Sequence, residues 1–123
     1  MREQALAAER FAGPATPHRP APAGLGVTQI AVAHVYGVPL DQLLAATRKH
    51  RRAAEARQVA MYLAHVGLGM NLSAVARGFG RDRSTACHAC RHVEELREDP
   101  EIDRRLTWLE ALIRGEAGAG AVR

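Results

Sequence analysis

The sequence predicts an all-α domain of five or six helices that carries a helix-turn-helix. Three observations lead there. Apolar residues make up 47% of the chain but aromatics only 4%, so a core must be assembled from Ala, Leu, Val and Ile. A mixture rich in Ala and poor in Phe and Thr favours helices over strands. From residue 27 onward, apolar positions recur at three- and four-residue spacing, and Gly or Asn punctuates the segments where helices start and stop. At 123 residues the chain has room for one domain and some flank.

Taken in order, residues 1–12 (MREQALAAERFA) fit a short, frayed helix. Residues 13–26 hold four of the six prolines and three glycines, the composition of an extended linker. Residues 1–26 are therefore expected to be a flexible arm, with the folded domain over 27–114. Val27, Ile30, Ala31, Val35 and Tyr36 define a first helix that Thr28 can cap and Gly37 ends. Pro39 leads into a short helical turn over 40–45, opened around Asp41. Residues 47–52 are basic without apolar periodicity and read as an exposed loop running into a helix start.

The strongest helical pattern covers 53–66, with Ala56, Val59, Ala60, Leu63 and Val66 or Gly67 as its stripe. Asn71 can cap a helix over 72–79 whose Leu72, Val75, Ala76 and Phe79 share a face. Gly78 and Gly80 then allow a tight turn. Asp82 or Ser84 can cap the next helix, which runs to about residue 97. Its apolar side is Ala86, Ala89, Cys90, Val93 and Leu96; its opposite side is Ser84, His88, Arg91 and Glu95. Pro100 suits the first turn of a last helix striped by Ile102, Leu106, Leu109 and Ile113. Trp108 and Met61 sit on helical stripes and are expected in the core. Residues 115–123 read as a frayed tail.

Charge narrows the partner. The net charge is +4, but residues 46–91 hold nine Arg and Lys against only Glu55 and Asp82. A local excess of that size favours a polyanion. Nothing favours a membrane: there is no apolar run of 18 residues. The N-terminus has Glu3 and Glu9 and no apolar signal region, so the expected compartment is the cytoplasm, at the nucleoid. Cys87 and Cys90 form no disulfide framework. They could supply half a zinc site, but no second cysteine pair exists and Cys90 falls on an apolar face, where a thiol packs as a small hydrophobe. His34, His50 and His65 give no site geometry. With no nucleophile triad or carboxylate pair, the reading is no metal, no cofactor and no enzyme.

Two short helices joined by a glycine-bearing turn, the second starting with small polar and basic residues, form a helix-turn-helix near 71–97. A major groove admits one helix, and its N-terminal residues meet the base edges. Here those are Arg83, Ser84 and Thr85. Arginine can fork onto guanine, threonine can meet the thymine methyl, and serine is small enough for close approach.

Residues of about 27–114 resemble a known family. ARQVAMYLA (56–64), FGRDRST (79–85) and HACR (88–91) are similar in order and spacing to the C-terminal DNA-binding domain of the bacterial chromosomal replication initiator DnaA. The resemblance implies a Trp-repressor-like helical fold that binds double-stranded DNA. It implies a minor-groove loop of Arg48, Lys49, Arg51 and Arg52. It places Arg57 and Gln58 near the backbone or groove edge, Arg81 and Asp82 before the recognition helix, Arg83, Ser84 and Thr85 at base edges, and His88 near a phosphate. The chain departs from the family in having Arg83-Ser84-Thr85 where His-Thr-Thr is usual, only Gly80 before Arg81-Asp82, and Glu55 where a basic residue is common. It also has no G-x-x-x-x-G-K-[ST], so an ATP-driven initiator is not expected of it. The roles that follow are regulation of replication initiation or of transcription, by a homodimer or in competition with a full-length initiator for sites. The alternatives are a protein-interaction adaptor that keeps the fold without DNA binding, and a thiol or zinc module.

Overall fold

A computed structural model describes residues 22–45 and 50–122, with side chains described to residue 115. Six α-helices lie among the described residues: α1 (Ala23–Tyr36), α2 (Leu40–Leu44), α3 (Arg51–Val66), α4 (Leu72–Phe79), α5 (Arg83–Leu96) and α6 (Pro100–Val122). The architecture is all-α, as the composition requires. The centre is α3, which packs on α1, α2, α4 and α5. Its Ala53, Ala56, Val59, Ala60, Met61, Tyr62, Leu63 and Ala64 are all buried. Small residues around most of the circumference let four neighbours approach one helix closely. The α6 stripe of Leu106, Leu109 and Ile113 closes the core, and α6 packs along α1.

The helix-turn-helix is set by local chemistry. Asn71 is the N-cap of α4, its Oδ1 accepting the Ala74 N–H at 2.8 Å. At the other end Gly80 takes φ +64°, a left-handed conformation that costs any residue with a Cβ about 1–2 kcal/mol. The Gly80 N–H bonds the Arg77 carbonyl at 3.2 Å and the Arg81 N–H bonds the Ala76 carbonyl at 2.8 Å. This Schellman pattern ends α4 and turns the chain into Asp82, the N-cap of α5. Ala86, Ala89, Cys90 and Val93 of α5 are buried, while Ser84, His88, Arg91 and Glu95 are exposed. Both faces fall where the periodicity puts them.

Several expectations need correction. α1 begins at Ala23, with Pro22 as its N-cap, rather than near Val27. Residues 23–26 are recruited because Leu25 is buried against Gly78, where a Cβ would stand 2.8 Å from Leu25 Cδ2. Gly78 therefore lies inside α4, at a close approach, and not in the turn. Thr28 is not a cap: its Oγ1 donates to the Gly24 carbonyl at 2.7 Å from a fully buried mid-helix position. The buried side of α1 is Leu25, Thr28, Val32, Ala33 and Tyr36, while Val27 and Ile30 are exposed. Since α1 is apolar on most sides, spacing alone cannot choose its buried face. Val66 is exposed at the end of α3, and Trp108 is 57% exposed on α6 rather than in the core. The tail expected to fray from residue 115 continues as helix to Val122.

One tertiary anchor escaped the sequence reading. Just past α5, Arg97 donates Nε to Asp103 Oδ1 at 2.6 Å, Nη1 to Glu110 Oε2 at 2.9 Å and to Tyr62 Oη at 3.2 Å, and Nη2 to Thr107 Oγ1 at 3.0 Å. Its guanidinium also lies over the Tyr62 ring, 5.8 Å from the centroid. Burial works against the charge, but the bonds to Glu110, Asp103 and Tyr62 hold its pKa above the ordinary arginine value. One side chain thus ties the end of α5 to both α3 and α6.

Candidate nucleic-acid interface

The site is built from two helix beginnings and the cleft between them. At the start of α3, Arg51 and Arg52 are exposed, and the first turn holds no acidic residue. At the start of α5, Arg83, Ser84 and Thr85 are exposed, again with no acidic residue in the first turn. Helix N-termini present unpaired N–H groups and a positive dipole end. Arginines there reinforce the positive potential instead of relieving it. Asp82 sits at the N-cap of α5 without a side-chain capping bond.

Between α3 and α5 lies an open concavity of about 610 Å³ lined by Arg57, Gln58, Arg81, Ser84, Thr85 and His88, floored by Ala54, Met61 and Ala89. Six of the expected site residues meet there. His88 is exposed one turn into α5, and Gln58 is half-buried. Arg91 lies on the same exposed side of α5 as Ser84 and His88, with Nη2 3.7 Å from Cys87 Sγ. Sequence periodicity put Arg91 on that side but assigned it no role. Arg48 and Lys49 lie outside the described residues.

Arg57 and Arg81 each have backbone partners that the family resemblance does not include. Arg57 is 5% exposed. Its Nε donates to the Leu43 carbonyl at 2.7 Å and its Nη2 to the Gln42 carbonyl at 3.0 Å. Arg81, half-buried, donates Nη2 to the Ala45 carbonyl. Burial and the neighbouring Arg81 charge push the Arg57 pKa below the ordinary arginine value. Among the described residues, the salt bridges found join Arg97 to Asp103 and Glu110, and none pairs Arg51, Arg52, Arg57, Arg81 or Arg83 with a carboxylate. In the cleft, Arg57 and Arg81 bond backbone carbonyls, which leaves their charge uncancelled, an arrangement that favours an anion.

Cys90 and His65 have structural surroundings. Burial, with Cys87 and Glu94 nearby, pushes the Cys90 thiol up to about 11, so it stays protonated and unreactive at neutral pH. His65 Nδ1 donates to the Met70 carbonyl at 2.7 Å and holds the α3–α4 connection. Among the described residues, no group of three or more His, Cys, Asp or Glu is placed to hold a metal ion, and no helix is long and apolar enough to cross a membrane.

Comparison with known proteins gives the chain a family. The family model for the bacterial dnaA protein helix-turn-helix matches residues 28–93. The chromosomal replication initiator protein DnaA of Laribacter hongkongensis is 39% identical over 88 residues, covering 70% of this chain and 18% of that protein. The DnaA of Bartonella quintana is 40% identical over 91 residues, covering 72% and 18%. The chain thus spans about a fifth of the length of these relatives. Among solved structures, a DNA replication initiation factor superposes with a TM-score of 0.68 at 31% identity, over 76% of this chain and 29% of that one. A replication initiator DnaA bound to AMPPCP and single-stranded DNA gives 0.66 at 33% identity, over 74% and 28%.

Proposed function

The chain belongs to the bacterial DnaA helix-turn-helix family, and on that premise we propose that it binds double-stranded DNA with sequence preference. The start of α5 enters the major groove, and the cationic start of α3 lies along the backbone or adjacent minor groove. Arg83, Ser84 and Thr85 meet base edges. Arg51, Arg52, Gln58 and His88 contact phosphates or groove edges, joined by Arg48 and Lys49 from the preceding basic stretch and flanked by Asp82. The observation that carries the reading is that the first turns of α3 and α5, which bear exposed Arg51, Arg52 and Arg83, border one cleft through Ala54, Ser84 and Thr85.

A duplex suits this face better than a single strand. Single-strand binders stack bases on aromatic side chains, yet Tyr36, Tyr62 and Phe79 are buried and Trp108 lies on α6, so no described aromatic lines the cleft. The role that follows is regulation of replication initiation or of transcription, through occupancy of sites that a full-length initiator also uses.

Selection of bound fragments from a random duplex pool, followed by titration of the winner, a scrambled duplex and the matching single strand, tests the proposal. A preferred duplex sequence is expected, bound more tightly than both competitors. Equal binding to all three would leave only a non-specific cation. No binding at low salt would favour an adaptor that keeps the fold without the DNA.

A further inference from the structure

We infer that Arg57 and Arg81 act as positioning residues: together they lock the C-terminal end of α2 against α3 and against the turn that leads into α5. This rests on the duplex-binding reading above. α2 has five residues, far too few to hold a helix unaided in water, and of its last carbonyls that of Gln42 accepts only a long 3.3 Å bond from the Ala45 N–H at the C-cap. Leu43 anchors it by burial. Arg57 then places its fork on two consecutive carbonyls, those of Gln42 and Leu43. Arg81 takes the next one along but one, at Ala45.

The second bond carries the functional weight. Arg81 immediately precedes Asp82, the N-cap of α5, and its partner lies 36 residues away in sequence. One guanidinium therefore joins the end of α2 to the beginning of the helix proposed to read bases. Beyond Ala45 the chain leads into the basic stretch that ends in Arg51 and Arg52. α3 and α5 pack directly on each other, so what this brace sets is where the end of α2, and the basic stretch leaving it, lies against the start of α5. A lysine can restore the charge but not the planar fork that spans carbonyls.

That difference supplies the test. In Arg81→Lys, affinity for a scrambled duplex and its salt dependence should stay within about twofold of the unsubstituted protein, because the charge count is kept. Preference for the selected sequence should drop about tenfold, comparable to one mismatched base pair. Amide exchange at Leu43 and Leu44 should accelerate while α4 and α5 keep their protection. Arg57→Lys should show the same pattern and serves as the second variant if Arg81→Lys does not fold. Retained preference together with unchanged exchange overturns the brace and leaves Arg81 a phosphate contact. If the unsubstituted protein itself shows no preference, the base-reading proposal falls separately, and unchanged exchange at Leu43 and Leu44 alone then overturns the brace.

Discussion

Arg83 carries the sharpest expectation at the scale of a single side chain. It is exposed at the first position of α5, and a forked contact to guanine is worth about 1–3 kcal/mol of discrimination. Arg83→Ala should flatten preference at one base pair in competition assays, while affinity for scrambled duplex falls less. Equal weakening of every sequence would make Arg83 a phosphate contact. Cys90 gives a pH prediction. Its folded pKa of about 11 lies above the ordinary thiol value of 9.0. The unfolded chain therefore loses the proton first, and stability should hold below pH 9 and decline as pH rises toward 11. Thermal unfolding of Cys90→Ala across that range should show a shallower decline. Arg97→Met should lower stability by about 2 kcal/mol, because it leaves the half-buried Glu110 carboxylate without its charged partner.

At the scale of the element, α5 lies between an acidic N-cap, Asp82, and a basic C-cap, Arg97, yet carries opposing charge within its terminal turns. It has no acidic residue in its first turn and no basic residue in its last, whereas a helix is stabilised by the opposite arrangement. A protein with no anionic partner gains nothing from this pattern. Arg83→Glu should therefore raise the stability of the free protein by about 0.3–1 kcal/mol while weakening duplex binding. Chemical denaturation and a gel-shift titration of the same variant check both halves. Greater stability with unchanged binding would remove the α5 tip from the interface. The turn before α5 is equally specific: Gly80→Ala at φ +64° should cost about 1–2 kcal/mol, read by chemical denaturation.

The whole molecule is polarised. Six carboxylates (Glu94, Glu95, Glu98, Asp99, Glu101 and Asp103) crowd residues 94–103 against Arg97 alone, at the far end of α5 from Arg83. Cationic helix starts lie at one end of α5 and this acidic segment at the other, so an approaching polyanion meets the protein oriented with the helix tips forward. With about five phosphate contacts, duplex affinity should fall with salt at a log–log slope near −4 to −5. Arg51→Ala should reduce that slope by about one. A slope unchanged by Arg51→Ala would take the start of α3 out of contact with DNA.

The amino-acid sequence by itself determined the helical class, the helix-turn-helix and its exposed face. Those depend on local chemistry: Asn71 at a cap, Gly80 at a left-handed position, and apolar residues at helical spacing along α5. It also located the cationic segment, since charge is a property of composition. Only the tertiary structure decided which side of α1 is buried, because Val27, Ile30, Leu25 and Val32 are all apolar and the choice is made by what α1 packs against. The same holds for Arg57 and Arg81, whose charge marks them as candidates for DNA but whose partners are carbonyls distant in the chain. A guanidinium looks the same in a sequence whether it faces a phosphate or the unpaired end of a short helix, and only packing settles which of them it reaches.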